Sequence, residues 1–398
     1  MLGKIKLKLD AVIFGGGVSG LWTLNILKKA GYQVILLESN SLGYDQTITC
    51  QGILHGGIKY SLAGKLTKSA INIRDMPGIW QKHILGHSYP DLSNVQVRAD
   101  FCYLWGQKMW LIGSVIGLSV TPRKISNTQK PSILASYKGD LYALGEQIIS
   151  PASLLRELSA EHKNSELQIS MDHIEFRNAE NGDIKEIILV NPENGRELVI
   201  ETKTVILTAG SGNELLRKRM GFREGKMQRR PLHMVVVKGK SLPFFNGHYI
   251  EKAQPGVTVT SAESSDGSVV WLLGGQLAEK SLDWSSDKLV EASQKSLNKI
   301  FPDVGFKNLK WATFKVNRAE VDTKHCKKPD DVFVDSENNV ITAWPTKMVL
   351  APRLAERILE KVDKPSTQSE ADLQELENWP RPQVAMEPWE NAEWFDAY

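Results

Sequence analysis

The chain has 398 residues, of which 41% are hydrophobic and 24% charged, with a net charge of +3. That length accommodates about two domains and a large core, and the balance excludes disordered, fibrous and disulfide-rich classes. A bilayer-crossing helix needs about eighteen uncharged apolar residues in a row; the nearest run, WLIGSVIGLSV at 110–120, is too short.

The N-terminus, MLGKIKLKLD, is basic, but no apolar core of a signal peptide precedes the first strand, so an intracellular, cytoplasmic protein is expected. Three widely spaced cysteines, Cys50, Cys102 and Cys326, fit reduced thiols better than a disulfide framework or a metal site. Charge is uneven: residues 363–398 hold nine acidic and two basic side chains, a balance of −7 that leaves +10 on the remainder. Clusters such as Arg217-Lys218-Arg219 and Arg229-Arg230 can attract an anionic substrate, a nucleic acid or a membrane surface, or simply form solvated faces. No nucleic-acid-binding motif accompanies them.

In chain order, the first informative unit is AVIFGGGVSG at 11–20. Val12, Ile13 and Phe14 form an apolar strand that enters Gly15-x-Gly17-x-x-Gly20, and LWTLNILKKAGY then repeats apolar positions at helical spacing. Each glycine has its own reason: Gly15 for the tight turn, Gly17 for backbone approach to a pyrophosphate, and Gly20 for packing the helix close to the strand. The helix start offers unpaired N–H groups and the positive end of its dipole. A second strand, QVILLE, ends at Glu38, 18 residues past Gly20, where a carboxylate can accept hydrogen bonds from a ribose diol. Strand, turn, helix, strand and acid in register predict a dinucleotide site for NAD or FAD.

A glycine-rich loop follows, with His55 between Gly52 and the pair Gly56-Gly57, a composition that lets backbone pass close to something flat or charged. A helix is expected over 71–88, strand-like sequence near 95–105 and 132–144, and a capped helix over 150–162. Three strand candidates, LQISMDHIEF, DIKEIILVN and ELVIETKTVILTAG, are separated by Asn181-Gly182 and Asn194-Gly195 and read as a meander. The run Thr204 to Gly210 ends in small residues, which let a chain pass beside a cofactor. From Arg229 to Phe301 the alternation is that of an antiparallel sheet followed by a helix over 286–300, a natural wall for a substrate cavity. His233, His248, Tyr249 and Trp271 lie in it, and alternation alone does not say which face the cavity. Arg318, on WATFKVNRAEVD, could clamp a carboxylate or phosphate with two parallel hydrogen bonds, or form a surface ion pair. Finally VITAW passes through Pro345-Thr346-Lys347 into a helix over 348–362, a second dipole site.

These residues resemble the FAD-dependent oxidoreductases of the D-amino-acid oxidase and glycerol-3-phosphate dehydrogenase group over about residues 9–362. The resemblance is carried by GGGVSG, ILHGGIKY, VILTAG, Arg318 and TKMVLAPRLAE. In the glycerol phosphate enzymes the loop reads HGGLRY and the last helix opens GKLTTYRKLAE, so Lys59, Tyr60 and Lys347 stand at the positions of a phosphate-side arginine, a tyrosine and an active-site lysine. Lys59 departs from the arginine, and Trp344-Pro345 stands where the family often has glycines.

The resemblance implies an α/β fold: an FAD-binding Rossmann-type domain (1–90, 145–225 and 311–362) with a second, mixed or antiparallel-sheet substrate domain (91–144 and 226–310). It implies FAD contacts from Gly15, Gly17, Val18, Ser19, Gly20, Glu38, Ser39, Thr49, Gln51, Gly52, His55, Gly56, Gly57, Ile174, Ala209, Gly210, Thr346, Lys347 and Met348. Hydride would pass from a small anionic substrate, a 2-hydroxy acid, amino acid or polyol phosphate, to flavin N5. Arg318 with Lys59 would hold the acid group, His55 or His233 would take the proton, and Tyr60, Tyr249 and Lys347 would complete the site. A histidine in a comparable loop attaches the flavin covalently in some related dehydrogenases, which makes His55 a candidate for that bond.

The alternatives are an amine oxidase or dehydrogenase on a larger substrate, and a flavin-binding subunit that relays electrons to a partner. The acidic tail, 363–398, carries Trp379, Trp389, Trp394, Phe395 and Tyr398 among prolines. It either wraps the protein's own surface or docks a protein partner.

Overall fold

Val12, Ile13 and Phe14 have no polar face to leave in water, and the strand that contains them, Ile5–Phe14, is central in its sheet. It pairs in parallel with Val34–Glu38 on one side and Glu197–Leu207 on the other. The structure is a computed structural model describing residues 4–57, 67–107, 122–223, 226–252, 254–365 and 373–396. The sheet runs in the order Phe333–Glu337, Val340–Trp344, Glu197–Leu207, Ile5–Phe14, Val34–Glu38, Glu166–Gln168. Three helices, Val18–Lys29, Pro151–Ala160 and Ala351–Leu359, cover one face through Leu21, Leu24, Leu154, Leu158, Leu354 and Ile358. Each leucine buried there contributes roughly 1.5–3 kcal/mol of apolar transfer.

The expected meander is present as Ile174–Asn178, Ile184–Val190 and Glu197–Leu207, with Gly182 at φ +87° and Gly195 at φ +73° in its turns. LQISMDHIEF, however, is two elements rather than one strand. Glu166–Gln168 joins the parallel sheet beside Val34–Glu38, and a 3-10 turn, Met171–His173, separates it from the meander. The helix expected over 71–88 is likewise divided into Lys68–Ile73 and Met76–Ile84. Pro77 lacks an N–H and so sits in the first turn of the second piece rather than inside a continuous helix. Near 132–144 the strand is confined to Leu141–Leu144, after a 3-10 turn at Ser132–Leu134. The apolar run 110–120 lies outside the described residues.

Among the described residues the second sheet has nine strands, in the order Phe395–Asp396, Lys310–Val321, Met227–Gly239, Val269–Gly274, Gln254–Glu263, Gly247–Glu251, Cys102–Gly106, Leu141–Leu144 and Arg123–Ile125. Its pairings are antiparallel except that between Gly247–Glu251 and Cys102–Gly106. The long helix Ser286–Ile300, capped by the Ser285 hydroxyl, packs Leu289, Val290 and Leu297 on one face of this sheet against Val235, Val237 and Leu273. The expected segment 311–362 therefore divides. Lys310–Val321 pairs along its whole length with Met227–Gly239, and only the later strands join the parallel sheet.

The tail folds onto its own chain. Trp379 is buried and donates its indole N–H to the Gln168 carbonyl at 2.8 Å, Leu42 exchanges backbone hydrogen bonds with Gln383 and Ala385, and Trp389 is buried under Arg98. Phe395–Asp396 then adds a short strand beside Lys310–Val321. No described helix is long and apolar enough to cross a membrane.

Candidate active site

A cavity of about 860 Å³ lies between the two sheets. The parallel sheet contributes the turn after its first strand: Gly15, Gly17, Val18 and Ser19 line the cavity, together with Glu38, Ser39 and Asn40 at the end of the second strand. Gly15 has φ +102°, and a Cβ there would stand 2.4 Å from the Ala209 Cα. A Cβ on Gly20 would stand 1.8 Å from the Gly15 carbonyl oxygen, so Gly20 packs the helix on the turn and does not line the cavity. The helix begins at Val18 with no side-chain cap at Gly17 and no acid in its first turn, which leaves its positive end for an anion. Glu38 accepts the Gly16 N–H at 2.6 Å and the Asn40 N–H at 2.7 Å. Burial pushes its carboxyl above the usual range, and those two N–H groups pull the other way.

Thr49, Gln51, Gly52 and His55 line the next stretch, as do Ala209 and Gly210. Gln51 reaches from its loop to the antiparallel sheet and donates to the Leu272 carbonyl at 3.0 Å, so the wall is tied across the two sheets. Gly56 and Gly57 sit just behind: the Gly56 N–H donates to Glu146 at 2.7 Å, and a Cβ on Gly57, at φ +101°, would stand 2.8 Å from the Ala70 carbonyl. Ile174 begins the meander and does not line the cavity; Ile169 and Met171, just before it, do. Lys59 and Tyr60 lie outside the described residues.

Thr346, Lys347 and Met348, from the far end of the chain, line the same cavity as the first glycine turn. The opening turn of this second helix is 3-10, Met348–Leu350, before the α-helix Ala351–Leu359. Thr346 has φ +62°, a costly conformation for a β-branched residue that recurs at ligand sites. Its hydroxyl is buried without a hydrogen-bond partner among the described residues, which fits a polar group of a bound cofactor. Lys347 is buried beside it. Burial depresses its ammonium to about 8, although Asp330, Glu320 and Asp331 favour the charge.

The antiparallel sheet supplies Arg230, Leu232, Met234, Val316 and Arg318. Side chains alternate along a strand, so Leu232 and Met234 face the cavity while His233 points the other way, buried, with Nδ1 3.1 Å from the Ser281 carbonyl. The same parity turns Tyr249 toward the Trp105 cluster. Neither His233 nor Tyr249 lines the cavity. Arg318 does, and directly opposite it in register is Arg230, which along the chain stands out only as part of the basic cluster Arg229-Arg230. Arg230 is held by Glu320 through 3.1 and 3.2 Å contacts to its two carboxylate oxygens, and Arg318 donates to the Arg230 carbonyl at 3.0 Å and to Glu279 at 3.4 Å. Burial and the neighbouring Arg230 charge lower the Arg318 guanidinium, which nonetheless stays charged at any ordinary pH. Lys328 adds a further cation to the lining.

Behind the His55 loop, Glu146 is fully buried. Its Oε2 lies 3.1 Å from His55 Nδ1 and 3.7 Å from His248 Nε2, while Nδ1 of His248 is 2.9 Å from the Thr258 hydroxyl. Burial alone would raise the Glu146 carboxyl, but the two imidazoles hold it well below the usual carboxylate range. Nothing local in the sequence marks Glu146, which lies 91 residues from His55.

The family model described as FAD dependent oxidoreductase matches residues 10–333. A probable FAD-dependent oxidoreductase of Pseudomonas aeruginosa is 33% identical over 396 residues, which cover 97% of this chain and 98% of that protein. Among solved structures, the crystal structure of an FAD dependent oxidoreductase from the same organism superimposes with a TM-score of 0.81 at 30% identity, covering 98% of this chain and 99% of that one. Glycine oxidase from Geobacillus kaustophilus matches with a TM-score of 0.64 at 15% identity, covering 91% of this chain and 96% of that one, a likeness of fold.

Proposed function

The chain belongs to the FAD-dependent oxidoreductase family, and from that premise we propose that it oxidises a small substrate bearing an anionic group, a 2-hydroxy acid, an amino acid or a polyol phosphate. The observation that carries this reading is the Arg230–Arg318 pair, two guanidinium groups in register on the cavity wall. Two like charges directly opposite one another on a sheet repel. Glu320 and Glu279 offset part of that repulsion, and an anion placed between the guanidiniums relieves the rest through charge-assisted hydrogen bonds.

The bound flavin supplies a two-electron hydride acceptor. The first glycine turn and the Val18 helix start would hold its pyrophosphate, Glu38 and Ser39 its adenosine ribose, and Thr346 to Met348 its ring system. Arg318 and Arg230 bind the substrate's acid group and so orient the carbon that is oxidised. His55, the one of the two proposed bases that lines the cavity, accepts the hydroxyl or ammonium proton as the C–H bond breaks. In this reading the parallel-sheet segments hold the cofactor, and the antiparallel sheet, including Lys310–Val321, holds the substrate.

The test is anaerobic mixing of the purified flavoprotein with a panel of 2-hydroxy acids, amino acids and polyol phosphates. Bleaching of the flavin band by a member of the panel supports the reading, and bleaching only by neutral amines or only by a partner protein refutes it.

A further inference from the structure

We propose that Glu146 is a positioning residue for His55: it fixes the imidazole tautomer that leaves Nε2 able to accept the substrate proton, with His248 and Thr258 bracing it from behind. The inference rests on the reading of His55 as proton acceptor and extends it to three residues that do the orienting. Glu146 sits between two imidazoles, with Oε2 3.1 Å from His55 Nδ1 and 3.7 Å from His248 Nε2, while its Oε1 accepts the Gly56 N–H at 2.7 Å. That backbone bond belongs to the residue next to His55, so one carboxylate grips both the loop and the ring it carries. His248 is in turn 2.9 Å from the Thr258 hydroxyl through Nδ1.

The chain of contacts starts and ends on the cavity wall, since His55 and Thr258 both line it. Glu146 and His248 between them are fully buried. A carboxylate taken out of water this completely is costly unless charge or donors compensate it. An ionised carboxylate only accepts hydrogen bonds, so the neutral His55 ring must present its proton at Nδ1 to meet it. The remaining nitrogen, Nε2, then carries the lone pair.

In the proposed step the substrate's O–H or N–H proton moves to His55 Nε2 as the adjacent C–H bond breaks, its electron pair leaving as the hydride that a bound flavin would accept. The carbon becomes a carbonyl or iminium carbon. The imidazolium so formed keeps its Nδ1–H on the Glu146 carboxylate, which stabilises the new positive charge without itself taking a proton. This is the orienting logic of a carboxylate behind a catalytic histidine, built here on a loop and a buried strand end.

The replacement Glu146→Gln keeps the size and the acceptor for the Gly56 N–H, but it presents an amide N–H to His55 Nδ1 and favours the opposite tautomer. Nitrogen NMR of histidine-labelled protein, with His55 assigned through His55→Gln, reads the tautomer directly and needs no substrate. The expected result is a proton on Nδ1 in the native flavoprotein and on Nε2 in Glu146→Gln, with Glu146→Asp restoring the native form in part. Where the panel above yields a substrate, kcat in Glu146→Gln falls by about a hundredfold or more while KM and flavin content stay near native. A native His55 protonated at Nε2, an unchanged tautomer in Glu146→Gln, or a stoichiometric metal ion recovered with the three side chains would overturn the proposal. If the tautomer behaves as expected and no anionic substrate reduces the flavin, the positioning stands and the substrate reading falls.

Discussion

Arg230 and Arg318 stand directly across from one another on adjacent antiparallel strands, both lining the cavity, with Glu320 forked on the first and Glu279 touching the second. Replacing Arg318 by Met removes one charge-assisted anchor, worth about 1.5–3 kcal/mol, and should raise the KM for an anionic substrate by roughly ten- to a hundredfold. Arg318→Lys should recover only part of that, because an ammonium lacks the planar fork. Steady-state kinetics with flavin content as control checks both. Native KM in Arg318→Met would remove the guanidinium from substrate binding.

The glycine turn makes a sharper demand. Gly15 has φ +102° and no room for a Cβ beside Ala209, so Gly15→Ala adds backbone strain of about 1–3 kcal/mol to a steric clash. The expected outcome is protein that purifies with little flavin and a lowered melting temperature. Gly78, inside the helix Met76–Ile84, has open space around a Cβ, and Gly78→Ala should hold its flavin and be stabilised by about 0.5–1 kcal/mol. The flavin-to-protein absorbance ratio and thermal melts of the two variants separate a local demand from a general sensitivity.

Lys347 gives a pH dependence with a definite sign. Its ammonium is lowered in the fold from 10.5 to about 8, chiefly by burial. Below the folded value both states carry the proton and the buried charge opposes folding. As pH rises from about 8 toward 10.5 the folded state sheds the proton before the unfolded one does, so this residue's contribution to stability rises across that window. Lys347→Met in the apoprotein should be more stable than native near neutrality and should lose that part of the rise, as read by denaturant midpoints across the pH series. A native protein no less stable than Lys347→Met near neutrality would contradict the burial argument.

Trp379 is almost wholly buried and tied to the Gln168 carbonyl, which makes the tail part of the folded body. Trp379→Ala should cost about 3–5 kcal/mol, measured as a shift in the denaturant midpoint. A loss below about 0.5 kcal/mol, the usual effect of a surface substitution, would mean that the tail is only loosely applied.

Much of this was legible along the chain because it is local. The glycine spacing at 15–20, the Ser150 cap with Pro151, and the amphipathic helix Ser286–Ile300 each depend on residues within a few turns of one another. At the site, the local units recur on the lining: the first glycine turn and Thr346 both face one cavity. It was not legible where pairing decides it. Strand parity turns His233 away from the cavity and Arg230 into it, a distinction that depends on which neighbouring strand covers which face. Glu146 meets His55 only after the loop folds across the strand ends, and Ile169 and Met171 replace Ile174 on the lining because a 3-10 turn interrupts the expected strand.

The most direct measurement is the anaerobic rate of flavin reduction by an acid that bleaches the protein, compared with its uncharged methyl ester, in native protein and in Arg318→Met. Rapid reduction by the acid, slow reduction by the ester, and a gap that narrows in Arg318→Met are expected if the paired guanidiniums present the substrate. Equal rates for acid and ester in the native protein would contradict it.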